Sequence, residues 1–224
     1  MDRRRRLSLI STLALALAAC NVQVQGNGQL AVESRTVAPF DQVDLSLGIE
    51  ASVTANAASQ ALSLSGDSNL LQYVLTPVEA GVLKTRLNGV DSIDPINPLR
   101  LTAQAVALHR VKATEASIVD VKGAGSSAAG FSFEVEAAAR SSVALAGRGG
   151  QHLEVRLSGG AALDAWSYPV ASANVLLAGG SWLRVNTVSD VTGSAADKSK
   201  VFVTGGGGCG GLVLSSGATC EPPP

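Results

Sequence analysis

Four segments of this chain repeat a pair of short alternating strands at one internal spacing, and that repeat restricts the folds open to it. Val111-Lys112-Ala113 leads to Val119-Asp120-Val121, and Val135-Glu136-Ala137 to Val143-Ala144-Leu145. Val155-Arg156-Leu157 then leads to Leu163-Asp164-Ala165, and Val175-Leu176-Leu177 to Leu183-Arg184-Val185. Each second strand starts eight residues after the first, and successive segments are offset by 24, 20 and 20 residues. A near-constant period of about twenty is a β-solenoid spacing, in which each coil buries its apolar side only by stacking on its neighbours. Stacked strands lie about 4.8 Å apart, so equivalent residues form ladders. The inward columns read Val111, Val135, Val155, Val175 and Val119, Val143, Leu163, Leu183, which is uninterrupted apolar surface. The outward columns read Lys112, Glu136, Arg156, Leu176 and Arg110, Glu134, Glu154, Asn174. Opposite charges mostly meet across neighbouring coils, Glu134 with Glu154 being the exception. Exposed pairs of this kind contribute about 0.2–1 kcal/mol each and mark a solvated face.

Alternation alone does not separate parallel from antiparallel pairing, and a hairpin-built β-sandwich has a similar strand count. The repeat favours the solenoid, since the Asn-Gly and Asp-Gly turns of tight hairpins do not occur between these strands. Small residues lie there instead, such as Ser141-Ser142, Gly159-Gly160-Ala161 and Gly179-Gly180-Ser181, where bulk would obstruct a tight corner. Val201-Phe202-Val203 reads as the start of a fifth coil whose register is not fixed. Upstream, Leu30 and Val32, Val43 to Leu47, Ala51 and Val53, and Leu62 and Leu64 alternate in short strands, while Asp91 to Pro98, with two prolines, reads as a loop. No stretch of ten or more residues carries a 3.6 period, so little helix is expected after the leader. The expected fold is all-β: a right-handed parallel β-helix or β-solenoid with coils of about 20 residues, preceded by short N-terminal strands.

The N-terminus carries an export signal. Arg3 to Arg6 precede a twelve-residue apolar run, Leu7 to Ala18, and Leu17-Ala18-Ala19-Cys20 resembles the cleavage site of bacterial lipoproteins. Twelve helical residues span only about 18 Å of a hydrocarbon core about 30 Å thick, so the run is too short for a membrane anchor. The resemblance implies cleavage before Cys20, a diacylglyceryl group on its thiol and an acyl chain on its amine, enough for stable anchoring. The alternative is a plain Sec signal that happens to end in cysteine. Asn21 is not the aspartate that favours inner-membrane retention in enteric bacteria, which points to a bacterial outer-membrane lipoprotein, periplasmic or surface-exposed.

Removing residues 1–19 takes four arginines and Asp2 from 17 basic and 18 acidic side chains and leaves a net charge of −4. Nucleic acid is therefore a poor partner. With Cys20 consumed by lipid, Cys209 and Cys220 remain as an even pair in an oxidising compartment, with glycines around Cys209. A disulfide is the favoured reading; two free thiols in an unstructured tail is the other.

No catalytic residue, cofactor or metal ligand is assigned. Asp120, Asp164 and Arg184 share an outward column, but Ala144 interrupts it and too few acids accompany them for a carbohydrate-cleaving site. His109 and His152 stand outside any Gly-x-Ser-x-Gly or His-Glu-x-x-His motif and read as surface or core histidines. Gly123-Ala124-Gly125-Ser126-Ser127-Ala128 mimics a dinucleotide fingerprint, yet Phe131-Ser132-Phe133 follows as strand where a helix is required, so it reads as a coil corner. Trp166 and Trp182 flank inward residues and should face outward, where aromatic rings stack on sugars or dock protein. For these and for Tyr168 the alternative is partial burial under the loop that holds Pro169.

A family resemblance adds to this. Gly26-Asn27-Gly28, then Glu33-Ser34-Arg35-Thr36-Val37-Ala38-Pro39-Phe40-Asp41-Gln42-Val43, resembles the opening of the putative auto-transporter adhesin head domain, also called the GIN domain. Leu62 to Leu71, with Gly66-Asp67-Ser68-Asn69, resembles that family's strand and acidic turn; Val78-Glu79-Ala80-Gly81-Val82-Leu83 resembles its next hairpin, and Pro98-Leu99-Arg100-Leu101 the entry to its repeated coils. The resemblance covers roughly residues 28 to 204. It implies an all-β, β-helix-like domain on a secreted or lipid-anchored bacterial protein and brings no catalytic residues. The organisation expected is a signal peptide at 1–19, a lipidated N-terminus and linker at 20–28, the solenoid domain at 29–204 and a Gly- and Pro-rich tail at 205–224. Adhesion or binding of a glycan or protein is the leading function. A structural or envelope-stress role without a dedicated ligand and a weak carbohydrate-active enzyme are the alternatives. An outward cluster of Trp166 and Trp182 favours binding, a featureless charged face the structural role, and three converging carboxylates the enzyme.

Overall fold

Two consecutive residues in the left-handed conformation turn each coil of this chain. The computed structural model describes residues 22–222, so the leader and Cys20 lie outside the described residues. Leu47-Gly48, Glu115-Ala116, Ala139-Arg140, Gly159-Gly160, Gly179-Gly180, Asp197-Lys198 and Ser216-Gly217 all have φ between 50° and 76°. The residue after each pair points inward, and Ile49, Ser117, Ser141, Ala161, Ser181 and Ser199 are buried. Ser117 and Ser181 donate their hydroxyls to the carbonyls of Thr114 and Ala178, at 2.7 and 2.6 Å. The corners therefore fall where the small residues indicate, but backbone conformation sets them as much as lack of bulk. That is why Glu115-Ala116, Ala139-Arg140 and Asp197-Lys198 turn without glycine, each residue costing about 1–2 kcal/mol for the left-handed backbone.

The corners separate two stacked faces. On the first, from the N-terminal end, lie Val82–Lys84, Gln42–Leu45, Arg110–Ala113, Ser132–Ala137, the later halves of Ser142–Leu157 and Ala162–Leu177, Thr192–Ala195 and Gly211–Leu214. On the second lie Leu30–Ser34, Ala61–Asp67, Arg100–Gln104, Glu50–Thr54, Ile118–Gly125, the earlier halves of Ser142–Leu157 and Ala162–Leu177, Trp182–Thr187, Lys200–Thr204 and Thr219–Glu221. From Gln42–Leu45 and Glu50–Thr54 onward the coils pair in parallel, which excludes the hairpin sandwich. Antiparallel pairs occur in the N-terminal cap, where Ala61–Asp67 lies between Leu30–Ser34 and Arg100–Gln104. The inward columns of both faces merge into one core, with Phe133 and Tyr168 filling its third side, 5.6 Å between ring centroids.

The repeat extends beyond the four segments in both directions. Val43 and Ala51, eight residues apart like the later pairs, occupy the same columns as Val111 and Val119. The cap, inserted between this first coil and the next, hides the period. At the other end Gly193 stands opposite Val175, and Val201 opposite Leu183. Val201-Phe202-Val203 is thus the second strand of its coil, not the first, because Thr192–Ala195 replaces the apolar first strand with small residues. The described part of the tail, residues 205–222, is not an appendage: Gly211–Leu214 and Thr219–Glu221 add another coil, with Cys220 opposite Val201 in the inward column. Asp91 to Pro98 is not all loop either, since Ser92–Asp94 pairs with Gln23–Gln25 in a separate two-stranded sheet. Pro95 and Pro98 lie beyond that strand, where a missing N–H breaks no ladder. One short 3₁₀ turn, Leu71–Tyr73, is the described helical element.

Two predictions arise here. Gly179→Ala places a Cβ 2.9 Å from the Gly159 backbone nitrogen at φ +66°, so thermal unfolding should show a loss of about 1–3 kcal/mol. Ala139→Gly relieves a left-handed alanine and should leave stability within about 0.5 kcal/mol or raise it. The second concerns the Cys209–Cys220 disulfide, whose Cα atoms lie 6.0 Å apart and which closes the last coil. Its removal in Cys209→Ser/Cys220→Ser should cost about 3 kcal/mol, with amide protection falling first in Gly211–Glu221.

Candidate functional site

The second face gathers Trp166, Trp182 and Phe202. In-register stacking puts Asp164, Arg184 and Phe202 in one outward row, and Ala162, Trp182 and Lys200 in the next. Trp166, one residue past inward Ala165, is 38 % exposed, while Trp182 and Phe202 are half-buried. Arg184 lies between the indoles, its guanidinium 4.9 Å from the Trp166 ring centroid and 5.9 Å from that of Trp182. Trp182 meets Phe202 at 5.9 Å with the rings tilted by 52°. Asp164 fixes the arrangement: it accepts from Arg184 Nε at 3.0 Å and from the Trp166 backbone N–H at 3.1 Å. Asn186 donates to the Trp166 carbonyl. The hydrogen bond to Asp164 raises the Arg184 pKa further, so the guanidinium stays charged while its charge is balanced within the patch. Cation–π contacts of this exposed kind contribute about 0.5–1 kcal/mol each and hold the indoles in place.

Both tryptophans named from the sequence are thus brought together. Tyr168 is not part of the patch: it is fully buried and its hydroxyl has no hydrogen-bond partner among the described residues. Phe202 is not legible as a patch member because the Lys200–Thr204 register is open in the sequence, and Arg184, though placed beside Asp164, reads there only as part of a carboxylate column. The 18-residue step from Leu183 to Val201 is the signal that places Phe202 above Arg184.

The first face is occupied by an ion-pair ladder. Lys112 lies 3.8 Å from Asp44 and 3.5 Å from Glu136. Arg110 reaches Glu136 at 3.1 Å and Glu134 at 3.4 Å, and Arg156 reaches Glu134 at 2.6 Å. The like-charged Glu134 and Glu154 do stand opposite each other. Glu134 is offset by the two arginines, and Glu154 by His152 at 2.8 Å and Asn174 at 3.1 Å.

Asp120 pairs with Lys122 at 3.1 Å and Asp164 with Arg184, so the column's carboxylates are held by cations and do not converge. His152 lies 2.8 Å from both Ser172 Oγ and Glu154 Oε1, a serine–histidine–carboxylate series. It sits on a central strand paired on both sides, whose N–H groups are committed to the ladder, so an acyl oxyanion would meet no free donors there. His109 lies 3.6 Å from Asp41 at the edge of the cap. Among the described residues no group of three or more His, Cys, Asp or Glu could hold a metal. The fingerprint-like Gly123-Ala124-Gly125 lies in the strand Ile118–Gly125, against Gly147 and Gly149 of the next coil, and not at a helix start.

The residues of the N-terminal resemblance are structural. Arg35 donates to the carbonyls of Leu71 and Val74 and pairs with Glu33, tying the Leu30–Ser34 strand to the 3₁₀ turn, and Phe40 is in the core. Asp67 of the acidic turn is buried and accepts from the N–H groups of Gly28, Ile96 and Asn97 and from the Asn97 side chain.

The family described as "Putative auto-transporter adhesin, head GIN domain" matches residues 39–207. Among solved structures, a putative adhesin from Bacteroides fragilis NCTC 9343 aligns over 88 % of this chain and 98 % of its own, with a TM-score of 0.66 and 12 % identity. A putative adhesin from Parabacteroides distasonis ATCC 8503 aligns over 89 % and 99 %, with a TM-score of 0.56 and 16 % identity. A putative lipid binding protein from the same organism aligns over 90 % and 100 %, with a TM-score of 0.51 and 11 % identity. No curated protein matches the chain. At these identities the structural likenesses establish the fold.

Proposed function

We propose, from the premise that this chain belongs to the putative auto-transporter adhesin head GIN domain family, that it is a cell-envelope lipoprotein whose solenoid binds a partner through its outward surface, without catalysis. The observation that carries this reading is the Trp166–Arg184–Trp182–Phe202 patch. It offers flat aromatic area held by fixed hydrogen bonds, so little ordering entropy is lost on contact. Because Asp164 balances Arg184, the patch suits a neutral saccharide, whose C–H faces stack on indoles and whose hydroxyls reach Asp164, Arg184 and Asn186. The lipid on Cys20 would tether the domain to the outer membrane, and Cys20→Ser should move the protein to the soluble fraction.

The chain has two tryptophans, both in this patch, so its indole fluorescence reports on this site alone. Titration with neutral oligosaccharides should give a saturable emission shift, and Trp166→Ala or Arg184→Ala should weaken it about tenfold or more. No shift with any neutral saccharide, or a shift indifferent to those variants, would remove the saccharide reading. The internally balanced ladder of the first face supports a second reading, a structural envelope role with no dedicated ligand.

A further inference from the structure

The third side of the solenoid, where each coil crosses from its second face to the first face of the next, carries two adjoining concavities. One of about 620 Å³ is lined by Asn56, Gly125 and Gly147, the other of about 320 Å³ by Gln151, Pro169 and Val188. Ser126, Ser127 and Arg148 line both. The hollow exists because glycines stack here: a Cβ on Gly125 would lie 2.0 Å from the Gly149 carbonyl oxygen, and one on Gly147 2.0 Å from that of Ala124. With no side chains to spare, backbone forms the floor.

Arg148 is exposed on the wall between the two hollows. Among the described residues no carboxylate lies within 4.0 Å of it or of Arg140 at a coil corner, whereas Arg35, Arg86, Arg100, Arg110, Arg156 and Arg184 each have at least one. No Asp or Glu lines either hollow. Asn56 donates its amide to the carbonyls of Gly123 and Gly125 at 2.7 and 2.9 Å, which leaves its Oδ1 as an acceptor.

We propose that this groove is a second binding site, in which Arg148 takes the carboxylate of an acidic saccharide, a uronate unit of a polysaccharide. One unpaired guanidinium fork matches one monoanionic carboxylate. The hydroxyls of Ser126 and Ser127 and the Gln151 amide can both donate to and accept from sugar hydroxyls, and Asn56 Oδ1 can accept from them. Pro169 and Val188, both exposed, supply apolar surface for the ring. An extended peptide is disfavoured, because the strands entering this side are paired within the stack and offer no sheet edge. The site shares no lining residue with the tryptophan patch.

Calorimetric titration of the full chain in detergent micelles tests this, with tetragalacturonate as the probe. A neutral tetrasaccharide of the same linkage, a polyglutamate peptide and inorganic phosphate serve as comparisons. In the Trp166→Ala background, where the tryptophan patch is disabled, the expected result is binding of tetragalacturonate alone, weakened roughly tenfold or more by Arg148→Gln and less by Arg148→Lys, and falling with added salt. Unfolding temperatures unchanged by either Arg148 substitution would accompany it. In that background, equal binding by the neutral sugar, the peptide or phosphate, indifference to Arg148→Gln, or no binding of tetragalacturonate would each overturn the proposal.

Discussion

Gly149→Ala should destabilise the protein by about 3 kcal/mol or more, lowering its unfolding temperature by about 10 °C for a domain of this length. Gly149 has φ +81°, and a Cβ built on it lies 1.7 Å from the Pro169 carbonyl oxygen and 2.8 Å from the carbonyl carbon. Both atoms are backbone of the next coil, so no rotamer change relieves the contact, and the crossing strands would have to part. Gly89→Ala is the control: at φ +73° it meets nothing within 4 Å, so it carries only the conformational cost, about 1 kcal/mol. Equal losses in the two variants would mean that coil contact on the third side is looser than described.

Asp67→Asn should release the N-terminal cap. Asp67 Oδ1 accepts from Gly28 N at 2.9 Å and Asn97 Nδ2 at 2.6 Å, and Oδ2 from Ile96 N at 2.7 Å and Asn97 N at 3.1 Å. An asparagine turns one of these oxygens into a donor facing donors, so two bonds are lost and like dipoles oppose. Amide protection at Gly28, Ile96 and Asn97 should fall by about tenfold or more while the coils keep theirs. Acid should mimic the variant. Burial pushes the Asp67 pKa up, but hydrogen bonds from Asn97, Ile96 and Gly28 outweigh it and hold the group below the ordinary carboxylate value. A depressed folded pKa means the contribution is complete above the unfolded value, about 3.9, and is lost as pH falls from there through the lower folded value. Exchange of the cap amides should therefore accelerate below about pH 4 in the wild type and show no such dependence in Asp67→Asn.

The coils were legible in sequence because stacking forces one residue type into each inward column, and that constraint survives as period and alternation. Val111, Val135, Val155 and Val175 are such a column, and the parallel pairing follows their alignment. Legibility failed where the column demand lapses. Gly193 leaves no apolar mark on its coil, so its own strand, Thr192–Ala195, is not legible and Val201 has no register to join. The terminal coil hid in a glycine-rich tail for the same reason. The first coil kept its spacing, but the cap sits between it and its neighbour, and a period cannot be read across an insertion of that length. For the patch, outward alternation sufficed to place Trp166 and Trp182, whereas Arg184's bridging position and Phe202 needed the register of adjacent coils.

Protease treatment of intact cells tests most directly the proposal that this solenoid acts as an adhesin, presenting its outward face outside the cell. Peptides from residues 100 to 204 would be scored by mass spectrometry while periplasmic controls stay protected. Release of those peptides from intact cells is the predicted result. Protection in intact cells, with cleavage after lysis, would contradict it and leave only partners within the envelope.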